Sequence, residues 1–430
     1  MCPQLPGFLA GKHSGHTPRY CAGPGAPRRS TPTPEAPILI ACVLASAAAL
    51  AWVYLLTLHG GYWRTSQRLP AHSQAGAELP RVTAVIPARN EADVLPECLP
   101  SLLGQDYHGA FSVILVDDDS TDGTGKVAAQ LAAATGGAEL TVVTARPTPP
   151  GWAGKVWAMS EGVRAAGNPD YLLFTDADIC YAPGTLSGLA AAALSGRYDL
   201  VSQMALLASD SAAARLLIPS FVYFFAQLYP FRQVSSSRSR TAAAAGGCML
   251  ARAATLATAG GLAQIKDARI DDVAFGRLLK RSGGRCWLGL TTDVVSMRRY
   301  DRLADVWDMV ARSAYTQLGY SLAATAGCVL ALAWLYLLAP AATLTGLGLL
   351  VAGASPATAT WLAAAGLAGW LLMTVSYTPI LRFYRLSPLR APSLPLVAGL
   401  YAAMTADSAR RYLAGRGGEW KGRVVTYDSA

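Results

Sequence analysis

Ser112-Val113-Ile114-Leu115-Val116-Asp117-Asp118-Asp119-Ser120-Thr121-Asp122-Gly123-Thr124 is the stretch whose reading decides the fold. A short apolar run rich in β-branched residues ends in three carboxylates, then in the Ser, Thr, Asp and Gly that open helices and turns. This is the pattern of a buried strand, a loop and a helix start. The same pattern recurs on either side. Val82–Ile86, Leu140–Thr144, Tyr171–Thr175 and Leu200–Met204 read as strands, with helices expected at Glu91–Gly104, Asp122–Ala134, Lys155–Ala166 and Pro183–Leu194. Such alternation predicts βαβ units and a mostly parallel sheet covered on both faces. Ligands of these sheets bind beyond the carboxyl ends of the strands, so the residues after each strand are the candidates for chemistry.

Outward from residues 80–315, which this pattern defines as one α/β domain, the chain turns lipid-like. It is 52% hydrophobic and only 15% charged, against about 25% charged for soluble domains. Ile38–Leu58 carries no charge and at ~1.5 Å per residue is long enough to cross a bilayer core of ~30 Å. It ends in Trp52, Tyr54, His59, Tyr62, Trp63 and Arg64, an aromatic and basic belt unlike a signal-peptide cleavage site. Residues 1–36, rich in Pro, Gly and Ser, are expected to be disordered, and residues 65–79 to be a linker. Residues 320–407 hold apolar runs at 327–351, broken by Pro340, and at 361–380. A shorter one at 394–404 fits either a span or an interfacial helix. Two or three C-terminal helices are expected, followed by a basic cytoplasmic or interfacial tail at 408–430.

The formal charge of +9 concentrates beside the apolar runs, at Arg382, Arg385, Arg390, Arg410, Arg411, Arg416, Lys421 and Arg423. That location points to lipid headgroups rather than nucleic acid, since no basic stripe with interleaved aromatics occurs in the globular part. Positive loops stay inside, so the catalytic segment is expected to face the cytoplasm of a multi-pass inner-membrane protein. The eight cysteines lack CxxC or Cys/His ligand spacing and read as reduced thiols.

Carboxylates crowd the expected strand ends: Asp117-Asp118-Asp119, Asp176-Ala177-Asp178 and, later, Asp271-Asp272. An N-cap role suits Thr121 or Asp122. It does not require three adjacent acids, which repel unless a cation or donor compensates them. Asp-x-Asp at a strand end suits a hard divalent ion, Mg2+ or Mn2+, shared with phosphate oxygens. Lys155, on a glycine-flanked turn before a helix, is a candidate cation for a leaving phosphate or else a solvated surface lysine. Gly246 and Gly247 permit close backbone approach.

With Val85-Ile86-Pro87-Ala88-Arg89-Asn90-Glu91 added, these ordered motifs resemble family 2 glycosyltransferases of GT-A, Rossmann-like fold. Gly151-Trp152-Ala153-Gly154-Lys155-Val156-Trp157-Ala158, Lys266–Asp272 and Met309–Leu318 are similar to the hopanoid-associated (HpnB-like) branch, neighbour to carotenoid glycosyltransferases. The resemblance implies donor-loop roles for Pro87, Arg89 and Glu91, base reading by Asp118, and ribose or metal contact by Asp176. It also implies metal binding by Asp178 and a catalytic base at Asp272, with Asp271 standing where Glu is commoner. Arg312, with Arg298 and Arg299, either clamps the diphosphate or forms a basic face against headgroups. The QxxRW motif of processive relatives is absent.

The resulting expectation is an inverting transferase moving a sugar from a nucleotide-sugar, a UDP-sugar by expectation, to a membrane lipid such as a hopanoid or other polyisoprenoid. Leu216–Phe231, aromatic and interrupted by Pro219 and Pro230, is either core or an interfacial helix guiding that acceptor. A polyprenyl-phosphate or carotenoid acceptor is the alternative, and a transporter or scaffold with a degenerate domain is the rival of another class.

Overall fold

The computed structural model describes residues 35–69 and 79–415, together with the short strands Glu419–Trp420 and Arg423–Val424. The expected disorder at 1–36 therefore falls almost entirely outside the described residues, as do most of the expected linker and part of the tail.

Eight strands form one sheet: β1 (Val82–Ala88), β2 (Phe111–Asp117), β3 (Glu139–Thr144), β4 (Tyr171–Phe174), β5 (Ile179–Tyr181), β6 (Leu200–Leu207), β7 (Met249–Arg252) and β8 (Cys286–Ser296). Their order is β3-β2-β1-β4-β7-β6-β8-β5. The first four are mutually parallel, as the βαβ reading requires, and β7 runs antiparallel between β4 and β6. Every residue of β1 is buried, because helices cover both of its faces. One apolar layer gathers Leu95, Leu99, Leu115 and Leu173, and the opposite layer gathers Val85, Val116, Met159 and Phe275. This is a Rossmann-like, GT-A-type mixed α/β sheet.

Three described helices are long and apolar enough to cross a membrane: Ala36–Thr57, Leu322–Val351 and Pro356–Phe383. Pro340 does not break the second. The chain passes through a π-helical turn at Ala333–Leu337 and then continues, which takes up the missing proline amide without ending the rod. The second and third helices pack through small residues. A Cβ on Gly346 would lie 2.5 Å from the Ala363 nitrogen, and one on Gly366 2.6 Å from the Ala339 oxygen. The Trp52 indole donates to the Leu335 carbonyl at 2.8 Å, bringing the first helix against the second.

The run at 394–404 is part of a longer helix, Leu394–Leu413. It docks on helix Leu303–Gln317, where the Trp307 indole donates to Asp407 at 2.8 Å and Ser408 accepts the Tyr315 amide at 2.9 Å. The aromatic run at 216–231 also packs as core. Helix Ala212–Leu228 joins the sheet to the apolar helices, with Phe224 edge-on to Tyr336 and Tyr401. Hydroxyl pairs Tyr62–Tyr223, Tyr223–Ser376 and Ser220–Tyr377, at 2.9, 2.7 and 2.6 Å, satisfy the polar atoms buried there.

Candidate active site

The loops after β1 and β2 are laced together. The Asp118 amide donates to the Ala88 carbonyl (2.8 Å), the Asn90 amide to Ser120 Oγ (3.0 Å), the Glu91 amide to Thr124 Oγ1 (2.9 Å) and the Ala92 amide to Asp122 (2.9 Å). Asn90 and Asp119 sit at φ 52° and 57°, left-handed conformations that Asn and Asp tolerate better than most. This lacing answers the question raised by three adjacent acids. Asp117 accepts the Ser120 amide at 3.0 Å, and Asp118 is buried with the Arg89 guanidinium 3.9 Å away. Asp119 projects outward, 3.7 Å from the same guanidinium. Asp122 accepts the Thr124 amide at 3.0 Å just ahead of helix Thr124–Thr135, whose N-cap residue is Gly123 and not the expected Thr121 or Asp122. Pro87 lies within β1, buried and in register with Val116.

A second group assembles at the ends of β4 and β7. Lys155 opens helix Gly154–Ala165, and its ammonium lies 2.7 Å from Asp176 and 3.0 Å from Asp271. The Ala153 amide donates to the Lys266 carbonyl at 2.7 Å, so the Gly151–Ala158 and Lys266–Asp272 motifs are neighbours in space. Asp272, in the first turn of helix Asp271–Arg281, accepts the Val273 amide at 2.7 Å and the Gly246 amide at 3.1 Å. Gly246 faces this group directly, since a Cβ there would lie 3.5 Å from Lys155 Nζ. Gly247 serves packing: its carbonyl accepts Thr175 Oγ1 (2.9 Å) and the Tyr181 hydroxyl (3.0 Å).

The electrostatics separate these acids. Burial first, and the neighbouring Asp271 charge second, push the Asp272 carboxyl up to about 7 against the pull of Lys155 and two amides. Burial likewise raises Asp176, opposed by Lys155. For Lys155 burial opposes the charge, but Asp176, Asp271 and Asp272 together outweigh it and hold the ammonium above its ordinary value. Lys155 is thus a charged, half-enclosed bridge and not a solvated surface lysine.

Asp178 accepts from Ser296 Oγ at 3.3 Å, and its carbonyl receives the Met297 amide at 2.8 Å. Arg298, Arg312 and Asp178 all act electrostatically on the buried Tyr300 hydroxyl, with the Arg298 guanidinium 5.9 Å from its ring. Among the described residues no three His, Cys, Asp or Glu side chains form a metal cluster by themselves. Two carboxylates of one turn suit an ion whose remaining ligands are phosphate oxygens and water.

Sequence reasoning missed a group beside Asp272. The buried Tyr229 hydroxyl receives the Gln317 amide and, at 3.3 Å, Arg277, and feels the Asp272 charge. These residues come from three helical segments, and only their position in an aromatic run and in the 309–318 motif hinted at them.

The paired acids and the bridging lysine thus sit together at the strand ends of the α/β sheet. Residues 83–256 match the family described as Glycosyl transferase family 2. An N-acetylglucosaminyltransferase of Bradyrhizobium elkanii is 48% identical over 50 residues, 11% of this chain and 28% of that protein. A 4,4'-diaponeurosporenoate glycosyltransferase of Staphylococcus haemolyticus (strain JCSC1435) is 32% identical over 127 residues, 29% of this chain and 32% of that protein. The matches span about a third or less of these relatives' length. A mannosyltransferase from Pyrobaculum calidifontis, solved with GDP-Man and Mn2+, aligns over 86% of this chain and 99% of its own, with TM-score 0.49 and 18% identity.

Proposed function

We propose that the chain is an inverting glycosyltransferase that moves a sugar from a nucleotide-sugar, a UDP-sugar in the simplest case, to a lipid acceptor at the membrane. The observation that carries this is the Lys155 bridge between Asp176 and Asp271, with Asp272 beside it at the strand ends.

In this reading the Arg89–Asp118 loop receives the nucleoside, with Glu91 holding its backbone in place. Asp272, whose raised pKa keeps it able to accept a proton near neutrality, takes the proton of the acceptor hydroxyl. The freed oxygen bonds to the anomeric carbon from the face opposite the diphosphate, the bond from that carbon to the diphosphate oxygen breaks, and the configuration inverts. Lys155, Arg312 and Arg298 supply positive charge where the diphosphate gathers its negative charge. Asp178 with Asp176 would hold a divalent cation, which neutralises diphosphate charge when bound. Asp271 keeps Lys155 in place.

The acceptor is read as a hopanoid or related polyisoprenoid. Helix Ala212–Leu228 ties the domain to three helices fit to cross a membrane, and one relative is named for a carotenoid-type substrate. The same reading places the domain on the cytoplasmic side of the inner membrane. The test is mass spectrometry of lipid extracts after the full chain, reconstituted in nanodiscs with each candidate lipid, is supplied with a panel of UDP-sugars. A sugar-shifted lipid is expected. Nucleotide-sugar binding without any glycosylated lipid sinks the acceptor assignment, and failure to bind any donor favours the scaffold or transporter reading.

A further inference from the structure

We propose that the cleft at the foot of helix Ala36–Thr57 binds the phosphate-bearing headgroup of an anionic membrane lipid, separately from the transfer site. This rests on the reading that the helix spans the membrane.

The cleft measures about 630 Å³, and its lining includes Arg64, Arg232, Arg238, Ser236, Ser239 and Leu56. No carboxylate lines it. Three exposed arginines therefore line one space beside two serines. This is the donor set that recognises phosphate, because guanidinium N–H pairs match phosphate oxygens.

Both walls are fixed by the fold. On one side the chain leaves the helix through Gly60 and Gly61, at φ 64° and 61°. A Cβ on Gly60 would stand 2.8 Å from Pro230 Cβ, so only glycine lets this turn lie against the opposite wall. The His59 ring nitrogen lies 2.8 Å from the Gln227 carbonyl. On the other side Lys280 Nζ donates to the carbonyls of Gln233, Val234 and Thr241 at 3.2, 2.6 and 2.7 Å, pinning the segment that carries Arg232 and Arg238.

The cleft also lies at headgroup depth. Tyr54, His59, Tyr62 and Trp63 surround the helix end as an aromatic interfacial belt. The Arg68 guanidinium lies 4.8 Å from the ring of Phe383, the last residue of helix Pro356–Phe383, so the segment that follows the first candidate span meets the end of another. Leu56 and Leu58 line the cleft where an acyl chain would leave it, which favours a lipid over a free phosphate. It is not the transfer site: none of Lys155, Asp176, Asp178, Asp271 and Asp272 lines it.

The test is native mass spectrometry of the full chain in detergent, with phosphatidylglycerol, phosphatidylcholine or inorganic phosphate added. Phosphatidylglycerol adducts should form on the wild type and survive millimolar phosphate. They should fall about tenfold or more in the Arg232→Gln/Arg238→Gln variant, with phosphatidylcholine adducts low throughout. Arg64→Gln, on the opposite wall, should independently weaken the same adduct, and all three positions are exposed enough to leave the fold intact. Wild-type adduct levels in both variants overturn the proposal, as does equal uptake of phosphatidylcholine or complete displacement by inorganic phosphate. Donor binding measured on the same variants should be unchanged. A protein that transfers sugar but shows no selective adduct refutes this site alone.

Discussion

The Lys155 ammonium lies 2.7 Å from the Asp176 carboxylate and, on its other side, 3.0 Å from Asp271. One cation thus couples the acids at the end of β4 to the acids that open helix Asp271–Arg281. Removing it changes both.

Lys155→Met should lower turnover by at least tenfold and move the acid limb of the pH–rate profile upward, because Lys155 is the charge that pulls Asp272 down. Initial rates between pH 5 and 9 check this. A profile that keeps its wild-type midpoint would separate Lys155 from the base.

In the wild type the same profile should rise with pH through an apparent pKa near 7. Asp272 titrates at about 7, and as a proton acceptor it works only when deprotonated, so activity is lost as pH falls through that value. A rate flat from pH 5 to 8 contradicts the assignment.

Asp272→Asn and Asp178→Ala should fail by different routes. The first is expected to lose roughly 10²–10⁴-fold in turnover while calorimetry still records donor binding. The second should lose the portion of donor binding that chelation with EDTA removes from the wild type. An active Asp272→Asn enzyme would place the base elsewhere.

Gly276→Ala should destabilise the domain. A Cβ at this position would lie 2.5 Å from the Ala243 carbonyl carbon and 2.9 Å from the Ala244 nitrogen, backbone atoms that cannot rotate away. A cost of about 1–3 kcal/mol is typical of such overpacking. Thermal unfolding should show a lowered midpoint, and displacement of the helix that carries Asp272 should lower activity as well.

Strands β1, β2, β3, β4 and β6 were legible because each is a short apolar run ended by polar residues, whereas β5, β7 and β8 were not expected. Helix starts were less so. The helix expected from Glu91 begins at Leu95, because residues 90–92 give their amides to Ser120, Thr124 and Asp122, partners some thirty residues away. Pro340 reads as a break, yet a π-helical turn ahead of it carries the helix through. The aromatic run at 216–231 left core and interface equally open until Tyr336, Tyr377 and Tyr401 closed around it.

By itself the sequence determined the parallel core of the sheet, the positions of its acids at strand ends and the apolar helices around it. Those follow from local composition and period. Only the tertiary structure decided which acids share a cation: Lys155 meets Asp176 and Asp271 because the Ala153 amide binds the Lys266 carbonyl, folding two distant motifs onto one strand edge. It also decided that Arg64, Arg232 and Arg238 line one cleft. Contacts between segments far apart in the chain depend on packing geometry, which no local pattern encodes.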